Sequence, residues 1–189
     1  MLGMVFTTFV EMVEDKFSPE LADSILDEAN LPHGGAYTAV GYYPFEEIVS
    51  LVSLLSEKTA IPINDLLLVF GKHLFGILAH SHAGAMGRKP DIFALLASLD
   101  DDIHREVRKL YPQADLPHFS VQHRDEHSMQ LAYHSPRNLH VLAMGLIEGA
   151  AEFYQTPVQI EMQMAPHPAT AESAQHSGSQ DVIFTIRRA

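Results

Sequence analysis

Histidine is the residue type best able to bind a metal in this chain. The 189 residues include 12 histidines, as many as the lysines and arginines together, and no cysteine. The absence of cysteine excludes disulfides, iron–sulfur clusters, thiolate zinc sites and cysteine nucleophiles. Any metal centre must therefore take much of its ligation from histidine.

Three groups of histidines could provide such ligands. His80 and His82 stand at alternate positions in a predicted loop, and the run from His123 to His127 contains ligand types in a polar turn between two strands. A solvated loop or turn is the more ordinary interpretation of both groups. His104 lies beside the apolar stripe of a predicted helix, so it is either a histidine satisfied within the core or a metal ligand.

Tyr133, Ser135 and Arg137 indicate a different chemistry. Tyr133 lies on the apolar face of a predicted strand, and Pro136 and Arg137 stop that strand and start the next helix. A phenol, a hydroxyl and a guanidinium at the edge of the core suit an anionic ligand with carboxylates, because arginine pairs with a carboxylate through two hydrogen bonds. The alternative is structural, with Arg137 paired to a helix carboxylate such as Glu148.

The elements that must position these residues form a helical front and a mixed back half. Apolar residues at spacings of three and four predict helices over about residues 5–17, 18–29, 44–55, 62–78, 91–111 and 138–153. Alternation of apolar and polar residues predicts strands over 128–134, 158–164 and 182–186. The segments 80–90 and 165–180 are predicted to be loops. The back half is therefore predicted to be an antiparallel sheet with a helix packed on it.

Composition limits the classes of function. With 47% hydrophobic and 19% charged residues, the chain can form one domain, or two small subdomains that share a core. The net charge of −12 argues against binding to nucleic acid or to an anionic membrane surface. No segment reaches the roughly 20 apolar residues that a membrane span needs, and the N-terminus lacks the cationic start of an export signal. We therefore expect a cytoplasmic protein.

Several sequence blocks together carry a family resemblance. They are Met1-Leu2-Gly3, Asp102-Ile103-His104-Arg105-Glu106-Val107, Lys109-Leu110-Tyr111-Pro112, Leu116-Pro117, Tyr133-x-Ser135-x-Arg137 and Gly145-Leu146-Ile147-Glu148-Gly149. In these blocks the chain resembles the haem nitric oxide/oxygen binding (H-NOX) domains, which are related to the haem domain of soluble guanylate cyclase. The resemblance covers essentially the whole chain.

The resemblance implies an α+β fold and a haem b cofactor. A helical distal subdomain would cover about residues 1–60, and a proximal subdomain with a four-stranded antiparallel sheet and helices would cover about 61–189. The haem would lie buried between the two. His104 would be the proximal ligand of the iron, and Tyr133, Ser135 and Arg137 would bind the propionates. Pro117 would press on the porphyrin and hold it out of plane.

Two features differ from relatives. Some bacterial members have a cysteine-rich zinc site near the sheet, which this chain cannot form, although His140, His167 and His176 lie in the comparable region. Members that hold oxygen place a tyrosine on the distal side, and the matching residue here is Leu142. The other distal candidates are also apolar: Val5, Phe9, Leu74, Leu78 and Leu146.

The resemblance implies a gas sensor and not an enzyme. Ferrous haem would bind nitric oxide and carbon monoxide and exclude oxygen. Cleavage of the iron–histidine bond and relaxation of the haem would signal to a histidine kinase or a cyclic-di-GMP enzyme. Two alternatives stay open, a haem-free small-molecule binding module of the vinyl-reductase-like type and a metal-dependent hydrolase using His and Asp residues.

Overall fold

Helices form the first part of the chain, and a sheet with helices forms the last part. The computed structural model describes residues 1–32, 34–165 and 180–189. Its helices are α1 (Gly3–Lys16), α2 (Pro19–Glu28), α3 (Phe45–Thr59), α4 (Ile63–Ser81), α5 (Ala83–Met86), α6 (Ile92–Ala97), α7 (Arg105–Leu110) and α8 (His140–Phe153). A π-helical segment, Leu99–His104, joins α6 to α7. The strands are β1 (His118–Arg124), β2 (Ser128–Ser135), β3 (Val158–Met164) and β4 (Gln180–Arg188).

The four strands form one antiparallel sheet in the order β1-β2-β4-β3. The predicted alternation in β2 is confirmed, because Met129, Leu131 and Tyr133 share a buried face. The same face of β4 contributes Val182, Phe184 and Ile186, and α8 packs against it. Periodicity located three of the strands, and the structure adds β1. The predicted α+β class with a four-stranded antiparallel sheet is confirmed.

Two hydrophobic clusters share α4 and α8. The first cluster joins α1, α2 and α3 to Leu66, Phe70 and Leu74 of α4 and to Leu142 of α8. The second joins the sheet and α6 to the other faces of the same two helices. The proposed division near residue 60 stays a prediction, since α4 contributes side chains to both clusters.

Two glycines allow α4 and α8 to approach closely. A Cβ on Gly71 would lie 2.4 Å from the Leu142 carbonyl oxygen, and one on Gly145 would lie 2.3 Å from the Leu68 carbonyl oxygen. Both distances are far below van der Waals contact, so only glycine fits at this crossing. The crossing fixes where α8 presents Leu142 and its neighbours.

The predicted single helix over about 91–111 is wrong. It opens on Asp91, whose carboxylate accepts a hydrogen bond from the Ala94 amide at 2.7 Å, but α6 ends at Ala97. The Ser98 carbonyl then accepts from the amides of both Asp102 and Ile103, and the second of these bonds spans five residues. That widened turn produces the π-helical segment.

Of the two predicted loops, one is partly helical and the other lies largely outside the described residues. The predicted loop over 80–90 is wrong in its first half, because α4 continues to Ser81 and α5 follows at Ala83. The predicted loop over 165–180 lies almost entirely outside the described residues. No single helix in the described part of the chain is long and apolar enough to cross a membrane; α3 and α4 reach that length only as a pair bent by 116°.

Candidate functional site

An apolar cavity of about 270 Å³ lies between the two hydrophobic clusters. A single water molecule needs only roughly 10–15 Å³ of such space, and voids larger than a water are few in native folds. The cavity is therefore large enough to hold a ligand. Its walls come from α1, α4, the π-helical segment, the 114–119 connection, β2 and α8.

The π-helical segment places His104 on the cavity wall. The side chains of Leu99, Ile103 and Val107 line the same wall. In a regular α-helix His104 would follow Ile103 by about 100° around the axis, away from the apolar stripe. The extra residue in the π turn brings His104 back towards the face of Leu99. Its side chain is only 12% exposed.

Asp100 binds the imidazole of His104. Its Oδ1 lies 2.9 Å from His104 Nδ1 and 3.2 Å from the Phe119 amide nitrogen, while its Oδ2 contacts His118 Nδ1. Burial lowers the pKa of His104, and the Asp100 hydrogen bond and, to a smaller extent, the Pro117 carbonyl oppose that shift. Because a carboxylate only accepts, Nδ1 carries the proton and Nε2 keeps the lone pair that binds metals.

Tyr133, Ser135 and Arg137 meet at the end of β2, as predicted, and all three line the cavity. Tyr133 is 2% exposed and Ser135 is 3% exposed. Burial raises the pKa of Tyr133, while the hydroxyl of Ser135 and the charge of Arg137 act in the opposite direction. The two hydroxyls and the guanidinium therefore stand close enough to act on one ligand.

Arg137 pairs with Asp115, so the proposed partner Glu148 is wrong. Its two terminal nitrogens lie 2.7 Å from the Asp115 carbonyl oxygen and 2.6 Å from Oδ2. Glu148 instead pairs with Lys72 at 2.8 Å. The guanidinium is thus held at the cavity wall by Asp115, which also lines the cavity.

Met1 also lines the cavity, and its nitrogen donates a hydrogen bond to the Tyr43 carbonyl oxygen at 2.7 Å. Arg137 supplies positive charge at this part of the wall.

The opposite walls of the cavity carry apolar side chains. Of the expected distal residues, Val5, Leu74, Leu78, Leu142 and Leu146 line the cavity. Phe9 does not; it is fully buried behind the wall, with its ring centroid 5.2 Å from that of Phe70. Every lining residue described from α1, α4 and α8 is apolar.

The other histidines that the structure describes do not line the cavity. His80 and His82 belong to the end of α4 and its cap, and His123 and His127 flank the β1–β2 turn. His73 and His140 do not line the cavity either; burial lowers the pKa of each. His167 and His176 lie outside the described residues. Among the residues that are described, no three His, Asp or Glu side chains converge as a metal site.

Asp100 and Asp115, which contact the predicted site residues His104 and Arg137, were not identified from the sequence. Asp100 stands four residues before His104, a helical spacing that does signal a side-chain pair. Asp115 carried no such signal, because it lies 22 residues before its partner Arg137. Its position depends on how the 114–117 connection crosses the end of β2.

Known proteins resemble this chain over most or all of its length. The H-NOX protein of K. algicida in its Fe(II) unliganded form is 34% identical, with a TM-score of 0.88 and coverage of 100% of this chain and 97% of that chain. The H-NOX of Shewanella woodyi, in its IWP-051-bound Fe(II)CO form, is 39% identical, with a TM-score of 0.80 and coverage of 100% and 95%.

A longer protein shows the same region within a larger chain. Soluble guanylate cyclase gcy-35 of Caenorhabditis elegans is 24% identical over 169 residues, which are 86% of this chain and 24% of that protein. The chain therefore spans about a quarter of this curated relative.

A sequence model of one family completes the comparison. The model of the family described as HNOB, Haem-NO-binding, matches residues 2–162. The match includes every lining residue of the cavity from Leu2 to Ala150; Met1 alone among the lining residues lies outside it. The chain belongs to the Haem-NO-binding (H-NOX) family, whose members are haem-binding gas-sensor domains and not enzymes.

Proposed function

We propose that the chain binds haem b in the cavity and senses nitric oxide, with carbon monoxide as a second ligand, while excluding oxygen. The observation that carries the proposal is the placement of His104, Tyr133, Ser135 and Arg137 on the walls of one apolar cavity. Haem has the matching chemistry, since it combines an iron, a large apolar ring and two carboxylates.

The described residues fit the cofactor. The Nδ1 of His104 is already bonded to Asp100, which leaves Nε2 as the nitrogen that would bind a metal. Arg137, Tyr133 and Ser135 would bind the propionates through charge-assisted and hydroxyl hydrogen bonds. Pro117 lines the cavity beside His104 and would contact the porphyrin. Bound haem would supply the iron at which diatomic gases bind.

The apolar distal wall supports selectivity against oxygen. Oxygen on ferrous iron carries partial negative charge, so a distal hydrogen-bond donor stabilises it by roughly 1.5–3 kcal/mol. The family resemblance matches Leu142 to the tyrosine of oxygen-holding relatives. Leu142 lines the cavity, and the other described lining side chains of α1, α4 and α8 carry no donor. Nitric oxide and carbon monoxide depend much less on such a donor.

We also propose that the output goes to a separate histidine kinase or cyclic-di-GMP enzyme. Nitric oxide would weaken the bond between iron and His104, and the π-helical segment that carries His104 would then move relative to α1 and α8. The catalytic activity of a candidate partner, measured with and without nitric oxide and with and without this protein, identifies the output. An unchanged activity excludes that partner.

The experiment is an absorption spectrum of protein purified from haem-sufficient cells and reduced without air. We expect an intense Soret band, a five-coordinate spectrum with nitric oxide in which His104 is detached, and no stable oxygen complex in air. Colourless protein would favour the haem-free binding module, and colourless protein with zinc or manganese would favour the hydrolase. A stable oxygen complex, or a six-coordinate spectrum at saturating nitric oxide, would contradict the proposed selectivity or signalling.

A further inference from the structure

Asp100 is the one carboxylate in contact with the imidazole of His104 among the described residues. Its Oδ1 lies 2.9 Å from Nδ1, and the two side chains are 17% and 12% exposed. The neighbouring acidic residues act elsewhere. Asp102 pairs with Lys89 and Arg105, and Asp101 is exposed. The contact is therefore specific to Asp100.

Three donors hold the Asp100 carboxylate in one orientation. They are His104 Nδ1 and the Phe119 amide on Oδ1, and His118 Nδ1 on Oδ2. Phe119 and His118 open β1, so the carboxylate is tied to the sheet as well as to its own helix. A carboxylate held this way cannot turn away from His104 without breaking bonds to β1.

We propose that Asp100 is a positioning residue that sets the strength of the bond between His104 and the haem iron; this inference rests on the proposed function. The carboxylate fixes the Nδ1–H tautomer and so keeps the Nε2 lone pair free for the iron. Its negative charge also polarises the ring and makes Nε2 a better electron donor. The second imidazole, His118, draws on the same carboxylate and limits that effect.

The test compares Asp100→Asn with Asp101→Asn in the ferrous, unliganded, haem-loaded protein. Both variants remove one negative charge, but only the first changes the partner of Nδ1. Asp100→Asn should lower the iron–histidine stretching frequency in resonance Raman spectra, make the iron reduction potential more positive, and lose haem about 10-fold faster or more. Asp101→Asn should match the wild type in all three. A wild-type stretching frequency in haem-loaded Asp100→Asn would overturn the proposal.

A second variant changes His118, which contacts the other oxygen of Asp100. It tests the proposal even if Asp100→Asn does not retain haem. His118 is 65% exposed, so His118→Ala, which has no side-chain donor, should fold normally. Removing this donor leaves more of the carboxylate charge to His104, and the stretching frequency should rise. An unchanged or lower frequency would overturn the proposal, because Asp100 would then serve only to attach β1. Wild-type protein that binds no haem would instead contradict the proposed function.

Discussion

The polar and apolar side chains of the cavity come from different segments. Residues 104–137 supply His104, Asp115, Tyr133, Ser135 and Arg137, whereas the lining residues of α1, α4 and α8 are apolar. A haem bound through His104 would thus meet polar side chains near its iron ligand and near its propionates, and apolar side chains elsewhere. Substitution of Arg137 in the polar group and of Leu142 in the apolar group should therefore have different effects.

Arg137→Ala should weaken the retention of haem without removing the iron ligand. Charge-assisted hydrogen bonds contribute roughly 1.5–3 kcal/mol, and each 1.4 kcal/mol is about tenfold. Haem transfer to apomyoglobin should therefore be about 10- to 100-fold faster than in the wild type. Arg187→Ala is a matched control, because Arg187 pairs with Glu161 on the exposed sheet surface. An unchanged rate of haem transfer for Arg137→Ala would show that Arg137 only pairs with Asp115 and does not bind the haem.

Leu142→Tyr should give the cavity a distal donor. Leu142 is 7% exposed and lines the cavity from α8, so a hydroxyl there would lie inside the apolar wall. A hydrogen bond of this kind should raise oxygen affinity about tenfold or more. Spectra recorded during oxygen titration measure the change, with Leu142→Phe as the control for ring volume. Equal oxygen affinities of the two variants would show that proximal strain or cavity shape excludes oxygen.

At the scale of elements, regular periodicity predicted most of the fold and failed where the helix changes its pitch. The stripe of Phe93, Leu96 and Ile103 predicts a continuous helix, but the second hydrogen bond to the Ser98 carbonyl widens the turn. Propensity and spacing do not encode that bond, which depends on packing of the segment against β1. The same packing places Asp100 between His104 and β1.

The site residues near one another in sequence were easier to predict than those joined by tertiary contacts. Tyr133, Ser135 and Arg137 were predicted together because they are close in sequence at the end of a strand. The expected helix start at Pro136 and Arg137 is wrong, because β2 ends at Ser135 and α8 begins at His140. The family resemblance placed Phe9 among the distal residues of the cavity, yet it packs on Phe70. Local sequence patterns could not predict that Arg137 pairs with Asp115, since the two lie 22 residues apart.

Gly145→Ala should destabilise the crossing of α4 and α8. The added Cβ would meet the Leu68 carbonyl at 2.3 Å, so the helices must move apart. Overpacking of this kind costs roughly 1–3 kcal/mol of unfolding free energy. Gly76→Ala is the control, because a Cβ at Gly76 meets nothing within 4 Å and should stabilise the helix by about 0.5–1 kcal/mol. Guanidinium denaturation measures both, and equal stabilities would contradict the tight crossing.

At the scale of the whole molecule, two hydrophobic clusters share α4 and α8 and enclose the cavity between them. A change at His104 acts on the π-helical segment and, through Asp100, on β1. Moving a two-state equilibrium from 1:99 to 99:1 takes about 5.5 kcal/mol of differential binding. In the proposed function, this difference would come from loss of the bond between the haem iron and His104.

Nitric oxide should therefore change amide hydrogen exchange in α7, in β1 and at the start of α1. Each of these segments contributes a side chain to the cavity wall, namely Val107, Phe119 and Met4, whereas β3 lies at the far edge of the sheet. Exchange in β3 is the internal control. His104→Gly loaded with haem and imidazole should show no change with nitric oxide, since the ligand is no longer attached to the chain. The same change in both proteins would contradict transmission through His104.

The absorption spectrum of His104→Gly shows directly whether His104 holds haem iron in this cavity. We expect the variant to retain five-coordinate ferrous haem only when imidazole is supplied. The control His127→Gly, altered at an exposed turn, should keep the wild-type spectrum. Retention of five-coordinate ferrous haem by His104→Gly without imidazole would contradict the assignment of His104 as the iron ligand.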